Sequence, residues 1–387
     1  MSAGDAPTMA SVVRGSHVVV CCGSGGVGKT PTAAVIAMQA ATEGRRSVVV
    51  TIDPARRLAD ALGLEGLTNT PSRIDGPWTA GGGQMDALML DTKGTFDGLV
   101  RRYSADAGQD ERILANSFYR NISGALSGTQ EYMASEKLYE LAVEGDYDLV
   151  VVDTTPPRTA LAFLDAPRRP APSPPHRLYK VLMSPTRGIV RAVNVAAQAL
   201  MRSVSKVVGA EVIADALAFF QAFEGMEQGF KERAAAVDRL LSDPTTAFVL
   251  VASPKADTVA EAGYFADQLR GNGIDVRGLI VNRTQPSFGV PLEDGALDGG
   301  SAATGAAAVR ERARTLAGTP LGDHYRCLAD SLQLARGEAE HLAGLAERVA
   351  PAPVVKVPVQ PFEVSDLGSL AALAALIFDS GAPATGG

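Results

Sequence analysis

The chain has 387 residues, enough for one large α/β domain with insertions or for two domains. Hydrophobic residues make up 46% and charged residues 20%, a globular balance that excludes wholesale disorder. A net charge of −7 argues against a globally basic nucleic-acid binder, and three cysteines with no CxxC pair exclude a disulfide framework.

Residues 1–16 lack the charged start and apolar stretch of a signal peptide and read as an N-terminal extension. No run approaches the ~18 uninterrupted apolar residues of a membrane span. The expectation is a soluble, reduced, cytoplasmic protein, with peripheral attachment to a membrane left open.

Short β-branched runs then alternate with helix-length stretches: His17 to Cys22, Ser47 to Ile52, Ala87 to Leu90, Leu149 to Val152, Ala247 to Val251, Leu279 to Val281 and Val354 to Val359. Continuous apolar character is what strands buried on both faces require. It predicts a doubly wound, mostly parallel α/β sheet with helices on both sides. Nearly every run ends in a polar or turn residue, namely Gly23, Asp53, Asp91, Asp153, Ser253 or Asn282. Ligands of open α/β sheets bind just outside those carboxyl ends.

Directly after the first run stands GSGGVGKT, Gly23 to Thr30, which satisfies GxxxxGK[T/S] and is followed by a helical pattern. Gly25, Gly26, Val27 and Gly28 form a turn whose successive N–H groups face a phosphate. Lys29 brings positive charge to the β- and γ-phosphates, and the Thr30 hydroxyl is a ligand for Mg²⁺. Pro31 departs from the pattern. It fits sterically in the first turn of a helix but brings no N–H to the α-phosphate, which weakens nucleotide affinity. Asp53 suits either a group near those phosphates or the cap of a helix with Pro54 at its first position. Asp153, after LVVV, fits a metal role better than a cap. Asn282 is either a turn residue or an amide that both donates and accepts toward a ligand.

The alternation breaks at Asp165 to His176, DAPRRPAPSPPH, where five prolines exclude a helix or central strand. Helical periodicity follows over residues 177–240. The division read from this is a nucleotide-binding core in two parts, residues 17–164 and 246–379, around a linker and helical insert at 165–245, with a disordered tail at 380–387. Pro286 to Ala308, rich in Gly and Ala, reads as a mobile loop. Residues 177–208 carry six cations (Arg177, Lys180, Arg187, Arg191, Arg202 and Lys206) and no Asp or Glu. They form either the solvated face of an amphipathic helix pair or a surface for a hydrophobic helix or anionic headgroups. Tyr179 is the one stacking aromatic there, so nucleic acid is not expected as a partner.

Together these residues resemble the arsenite-pump (ArsA) and tail-anchored-protein targeting ATPases of the deviant-Walker P-loop NTPases, above all their short actinobacterial members. The supporting motifs run in family order from Val18 to about Ile377: GSGGVGKT, TIDPARRLADALG, MLDTKGTFD, GTQEYMASEKL, VVDTTPPRTALAFLDAP, VNRTQP and VPVQPFEVSDL. The resemblance implies an ATP- and Mg²⁺-dependent hydrolase in which Lys29 and Asp53 serve catalysis, Asp53 positioning the attacking water. It implies that Asp153 holds Mg²⁺ through water, and that Asn282 reads the adenine edge with Arg283 beside it. The segment with Pro361 and Phe362 would flank the base. The implied partners are ATP, a second copy of the chain or a paralogous ATPase, and a hydrophobic or membrane-protein client.

Several positions depart from the family pattern. Its signature lysine is Ser24 here, so the contact that lysine makes in trans is not available from this chain. Thr155-Pro156-Pro157-Arg158 replaces the usual switch II, and a family glutamate is Lys255. Neither the arsenite-binding cysteine cluster nor the zinc-binding CxxC is present. A nucleotide-binding regulatory subunit with weak hydrolysis of its own is the alternative these departures raise. A surface-partitioning ATPase would need a terminal amphipathic anchor, and Leu367 to Phe378 lacks the basic residues for one.

Overall fold

The computed structural model describes residues 7–53, 57–104, 107–122, 129–154, 215, 218–219, 227–292 and 305–379. They fall into two compact units, one drawn from Met1–Met89, Leu141–Leu161 and Ser242–Gly387, the other from Leu90–Glu140 and Ala162–Leu241.

The first unit is built on an eight-stranded sheet: β1 (Val18–Gly23), β2 (Arg46–Thr51), β3 (Ser72–Ile74), β4 (Gln84–Met89), β5 (Leu149–Asp153), β6 (Thr246–Ala252), β7 (Val276–Thr284) and β8 (Val354–Pro358). Their spatial order is β3-β4-β2-β5-β1-β6-β7-β8. All neighbours are parallel except β3, which runs antiparallel to β4 at the edge. Each expected run is one of these strands. The addition is β3, three residues with Ile74 alone buried, too short to show a pattern.

The strands are wound in both directions from the centre. After β1 the chain passes through α2 (Lys29–Thr42) to β2 on one side; after β6 it passes through α9 (Ala256–Gly271) to β7 on the other. Right-handed crossovers of opposite sense put α2 and α9 on opposite faces. On the α2 face, α1 (Met9–Arg14), α3 (Arg57–Leu62) and α12 (Leu367–Phe378) join a core in which Ile36, Leu58, Leu370 and Ile377 meet Val19, Val49 and Val151. Those three strand residues stand level with one another in register, Val19 and Val49 each opposite Val151, and so share one face of the sheet. On the other face α9 packs on β6, and α11 (Pro320–Val349) on α9 and β7; α10 (Ala306–Thr315) packs on α11. The stretch expected as a loop at 286–308 makes a tight turn at Ser287 to Val290, and its last three residues open α10. Among the described residues no helix is long and apolar enough to cross a membrane.

The second unit is helical. Its described helices are α4 (Thr92–Tyr103), α5 (Ala107–Ala115), α6 (Ser117–Ile122), α7 (Thr129–Tyr139) and α8 (Glu227–Leu241). Phe96, Tyr119, Tyr132, Phe219 and Phe230 form an aromatic centre, with Phe96 and Tyr119 stacked at 5.6 Å between centroids. Across this core Arg233 of α8 donates to the Glu136 carboxylate of α7 over 2.8 Å, both buried, and lies 3.8 Å above the Tyr139 ring. This unit thus takes in residues 90–140, a stretch that the strand-and-helix alternation alone places in the nucleotide-binding core. The Pro-rich stretch and the six cations of 177–208 lie outside the described residues.

Candidate functional site

The site lies at the carboxyl end of β1, beside β6, where the direction of winding reverses. Two glycines are required there. Gly23, at φ 154°, lies against the Val251 carbonyl of β6, where a Cβ would collide with backbone. Gly28, at φ 96°, caps α2, and a Cβ there would strike the Asn282 side chain. Neither φ is one an L side chain readily adopts. The loop between them therefore turns tightly into a fourteen-residue helix whose first N–H groups have no intrahelical partner. Those amides and the helix dipole make the loop an anion cradle. Pro31 stands in that first turn, where the fold tolerates it.

Lys29 is almost fully buried, and its ammonium donates to the Ser24 carbonyl over 2.7 Å. Burial pushes its pKa down, while the nearby Asp153 charge works against that shift. The Ser24 hydroxyl is buried without a hydrogen-bond partner among the described residues.

Asp153 ends β5, in register with Thr51 at the end of β2 and with Cys21 of β1. Its Oδ2 accepts from the Thr30 hydroxyl at 2.8 Å and from the Thr51 hydroxyl at 2.9 Å. Its Oδ1 is buried with no hydrogen-bond partner among the described residues. Burial pushes this carboxyl up to about 6, against the two hydroxyls, which favour the ionised form. A carboxylate stripped of water, with one oxygen uncommitted and a threonine hydroxyl already against the other, fits a hard cation or its water shell. Among the described residues no three His, Cys, Asp or Glu come together to hold a metal. The donor set is thus the sparse one that suits Mg²⁺ held jointly with phosphate oxygens.

A cleft of about 370 Å³ opens over the loop. Gly25, Gly26, Gly28, Lys29, Thr30 and Pro31 form its floor. Asp53, Arg57, Asp60, Thr154, Arg283 and Val364 are among the residues that complete the lining. The Asp53 N–H donates to the Thr51 hydroxyl at 3.2 Å, and its carboxylate lies 3.7 Å from the Arg57 guanidinium. Val27 is buried beneath the loop. Asn282 reaches it from β7: its Nδ2 donates to the Val27 carbonyl at 3.0 Å, and its Oδ1 accepts from the Arg283 N–H at 2.9 Å.

The structure thus brings the loop residues, Asp53, Asp153, Asn282 and Arg283 to one place. Pro361 and Phe362 do not line the cleft; Phe362 is exposed, and Val364 is the wall residue from their segment. Lys255 is exposed at the cap of α9, and residues 155–158 lie outside the described set. Sequence reasoning misses Thr51, Arg57, Asp60 and Thr154. Arg57 carries a signal, four residues after Asp53 and so on the same side of any helix formed there. Cys21 and Cys22 are buried in β1, with burial pushing the Cys22 thiol up to about 12, while Cys327 is exposed on α11. They form no thiol cluster.

Residues 16–288 match the family model described as anion-transporting ATPase. The chain is 25% identical over 289 residues to the ATPase ARSA2 of Chlamydomonas reinhardtii, covering 72% of this chain and 71% of that protein. It is 28% identical over 166 residues to the ATPase get3 of Aspergillus terreus, covering 42% of this chain and 46% of that one. For the ATPase asna-1 of Caenorhabditis elegans the identity is 27% over 154 residues, with shares of 38% and 43%. The chain therefore spans less than half the length of the latter two. A family match of that extent, on a sheet whose central strand runs into a phosphate cradle, places this chain in the anion-transporting ATPase family.

Proposed function

We propose that the chain is a cytoplasmic, magnesium-dependent ATPase that couples ATP binding and hydrolysis to closure of a dimer and to handling of a hydrophobic or membrane-associated client. The dimer is formed with a second copy or with a paralogous ATPase. The observation that carries the ATPase reading is the Thr30–Asp153 contact beside Lys29 in an otherwise polar cradle. Relatives whose names call them ATPases support it.

Thr30 directly, and Asp153 through water, would hold Mg²⁺, which neutralises charge on the β- and γ-phosphates. The N–H groups of Gly25 to Thr30 bind the phosphate chain, and Lys29 exchanges the Ser24 carbonyl for phosphate oxygens. Asp53 accepts a hydrogen bond from a water and holds it in line with the γ-phosphorus. The water oxygen bonds to that phosphorus as the bond to the bridging oxygen breaks, giving ADP and inorganic phosphate. Asn282 braces the loop, and its second amide hydrogen and second lone pair serve the adenine edge, with Arg283 and Val364 in the cleft lining.

Pro31 in the cleft floor favours a second reading, a nucleotide-binding regulatory subunit that hydrolyses slowly by itself. Calorimetry with Mg-ATP and steady-state hydrolysis by the purified chain separate the two. Tight binding with turnover supports the first, binding without turnover the second. A folded protein that takes up no adenine nucleotide overturns both.

A further inference from the structure

Arg57 has no part in the chemistry described so far, yet it opens α3 at the wall of the same cleft as Lys29, Thr30 and Asp53. Its side chain is 64% exposed at the cleft mouth, and its charge is felt at Lys29, whose ammonium is pushed down first by burial and then in small part by Arg57. At 3.7 Å its contact with Asp53 is an ion pair without a hydrogen bond, of the exposed (i, i+4) kind that holds least firmly. Among the described residues, only Lys29 and Arg283 add further cations to the cleft lining. Pro31 offers no N–H, and the Ser24 hydroxyl is buried outside that lining.

Resting on the ATPase reading above, we infer that Arg57 is a catalytic arginine supplied in cis, which leaves Asp53 for the γ-phosphate when ATP binds. A γ-phosphate carries more negative charge than one carboxylate and offers the planar guanidinium two oxygens in a matching fork. The exchange has two effects. Arg57 takes up charge that develops on the equatorial oxygens as the terminal phosphoryl group transfers, and Asp53 is released from the arginine as it is needed to hold water. The Arg57–Asp53 pair is thus the resting form of the site, and substrate opens it. Because both residues belong to one chain, the site completes itself without an arginine from a partner.

Single-turnover hydrolysis and Mg-ATP calorimetry on wild type, Arg57→Ala and Arg57→Lys test this. Arg57→Ala is expected to slow the chemical step on the order of 10³-fold, while ATP affinity changes less than about tenfold. Arg57→Lys, a point charge without the fork, falls between them. Mixing Arg57→Ala, which retains the cradle, with Lys29→Ala, which retains Arg57, restores no activity if the arginine acts in cis. Restoration on mixing would overturn the cis assignment, and an Arg57→Ala rate equal to wild type would overturn the catalytic one while leaving the ATPase reading intact. A wild type that binds ATP without turning it over also overturns the inference. One that binds no nucleotide overturns the ATPase reading itself. Circular dichroism melts of each variant establish that losses are not unfolding; the Arg57 variants change an exposed side chain, and Lys29→Ala, which changes a buried one, enters the mixing experiment only if its melt matches wild type.

Discussion

Glu136 of the helical unit and Asp153 of the sheet unit are both buried carboxylates, and they are handled in opposite ways. In the helical unit Glu136 has its cation built in: Arg233 donates to it at 2.8 Å and stacks on Tyr139. In the sheet unit Asp153 leans on two hydroxyls and makes no ion pair among the described residues. Burial raises the pKa of both, and Arg233 offsets part of that for Glu136. The completed pair serves the fold; the incomplete one is what the proposed magnesium site requires, a carboxylate whose counter-charge comes with substrate. What separates the two is whether the counter-charge is covalently part of the chain.

The sharpest way to break that comparison is Asp153→Asn. Loss of the carboxylate is expected to slow single-turnover ATP hydrolysis on the order of 10⁴-fold, about 5 kcal/mol of barrier. Arg233→Ala attacks the other side. It leaves Glu136 buried without its cation and should destabilise the protein by about 3–5 kcal/mol in urea unfolding, with much of that recovered in the double variant with Glu136→Gln.

A subtler test uses pH on the nucleotide-free protein. Asp153 titrates near about 6 when folded and near ~3.9 when unfolded, so between those values the native state binds more protons. Stability is therefore fully present below the lower value and falls as pH rises through the upper one. That gap is worth about 3 kcal/mol, so Asp153→Asn should be more stable than wild type at about pH 8 by up to that amount, and no more stable near pH ~4. A wild-type advantage at the alkaline end would refute the strain assigned to Asp153. Magnesium with ATP should cancel the same liability. At about a hundred times Kd it stabilises wild type by about 2.7 kcal/mol, an upshift in Tm that EDTA reduces and Asp153→Asn lacks. The smallest effect is expected at Asn282→Ala, which frees the Val27 carbonyl. It should lower stability by about 1 kcal/mol and weaken ATP binding, read by calorimetry.

How much of this molecule is legible in its sequence depends on the distance over which the information is spread. The phosphate loop is legible because the strand, glycines, Lys29 and Thr30 are contiguous. Six strands are legible because burial on both faces leaves an apolar run, and the edge strand β8, with Val357 alone buried, because its valines cluster around Lys356. The edge strand β3 is not, since three residues show no period. Thr51 escapes because its role comes from register: only when β2 pairs with β5 does it stand beside Asp153. Residues 90–140 read as part of the sheet unit because amphipathic helices carry no label saying which core they cover. Phe362 has the character of a site wall, yet chain direction after β8 gives that place to Val364.

The strap from Asn282 to Val27 has a consequence for synthesis. The ribosome delivers the whole GSGGVGKT signature by Thr30, but β1 finds its neighbours at residues 149–153 and 246–252, and the loop its brace at 282. A nascent chain thus displays its most recognisable motif long before it owns a working grip. The signature is assembled by later-arriving sequence, so nucleotide capture is deferred until residue 282 has emerged.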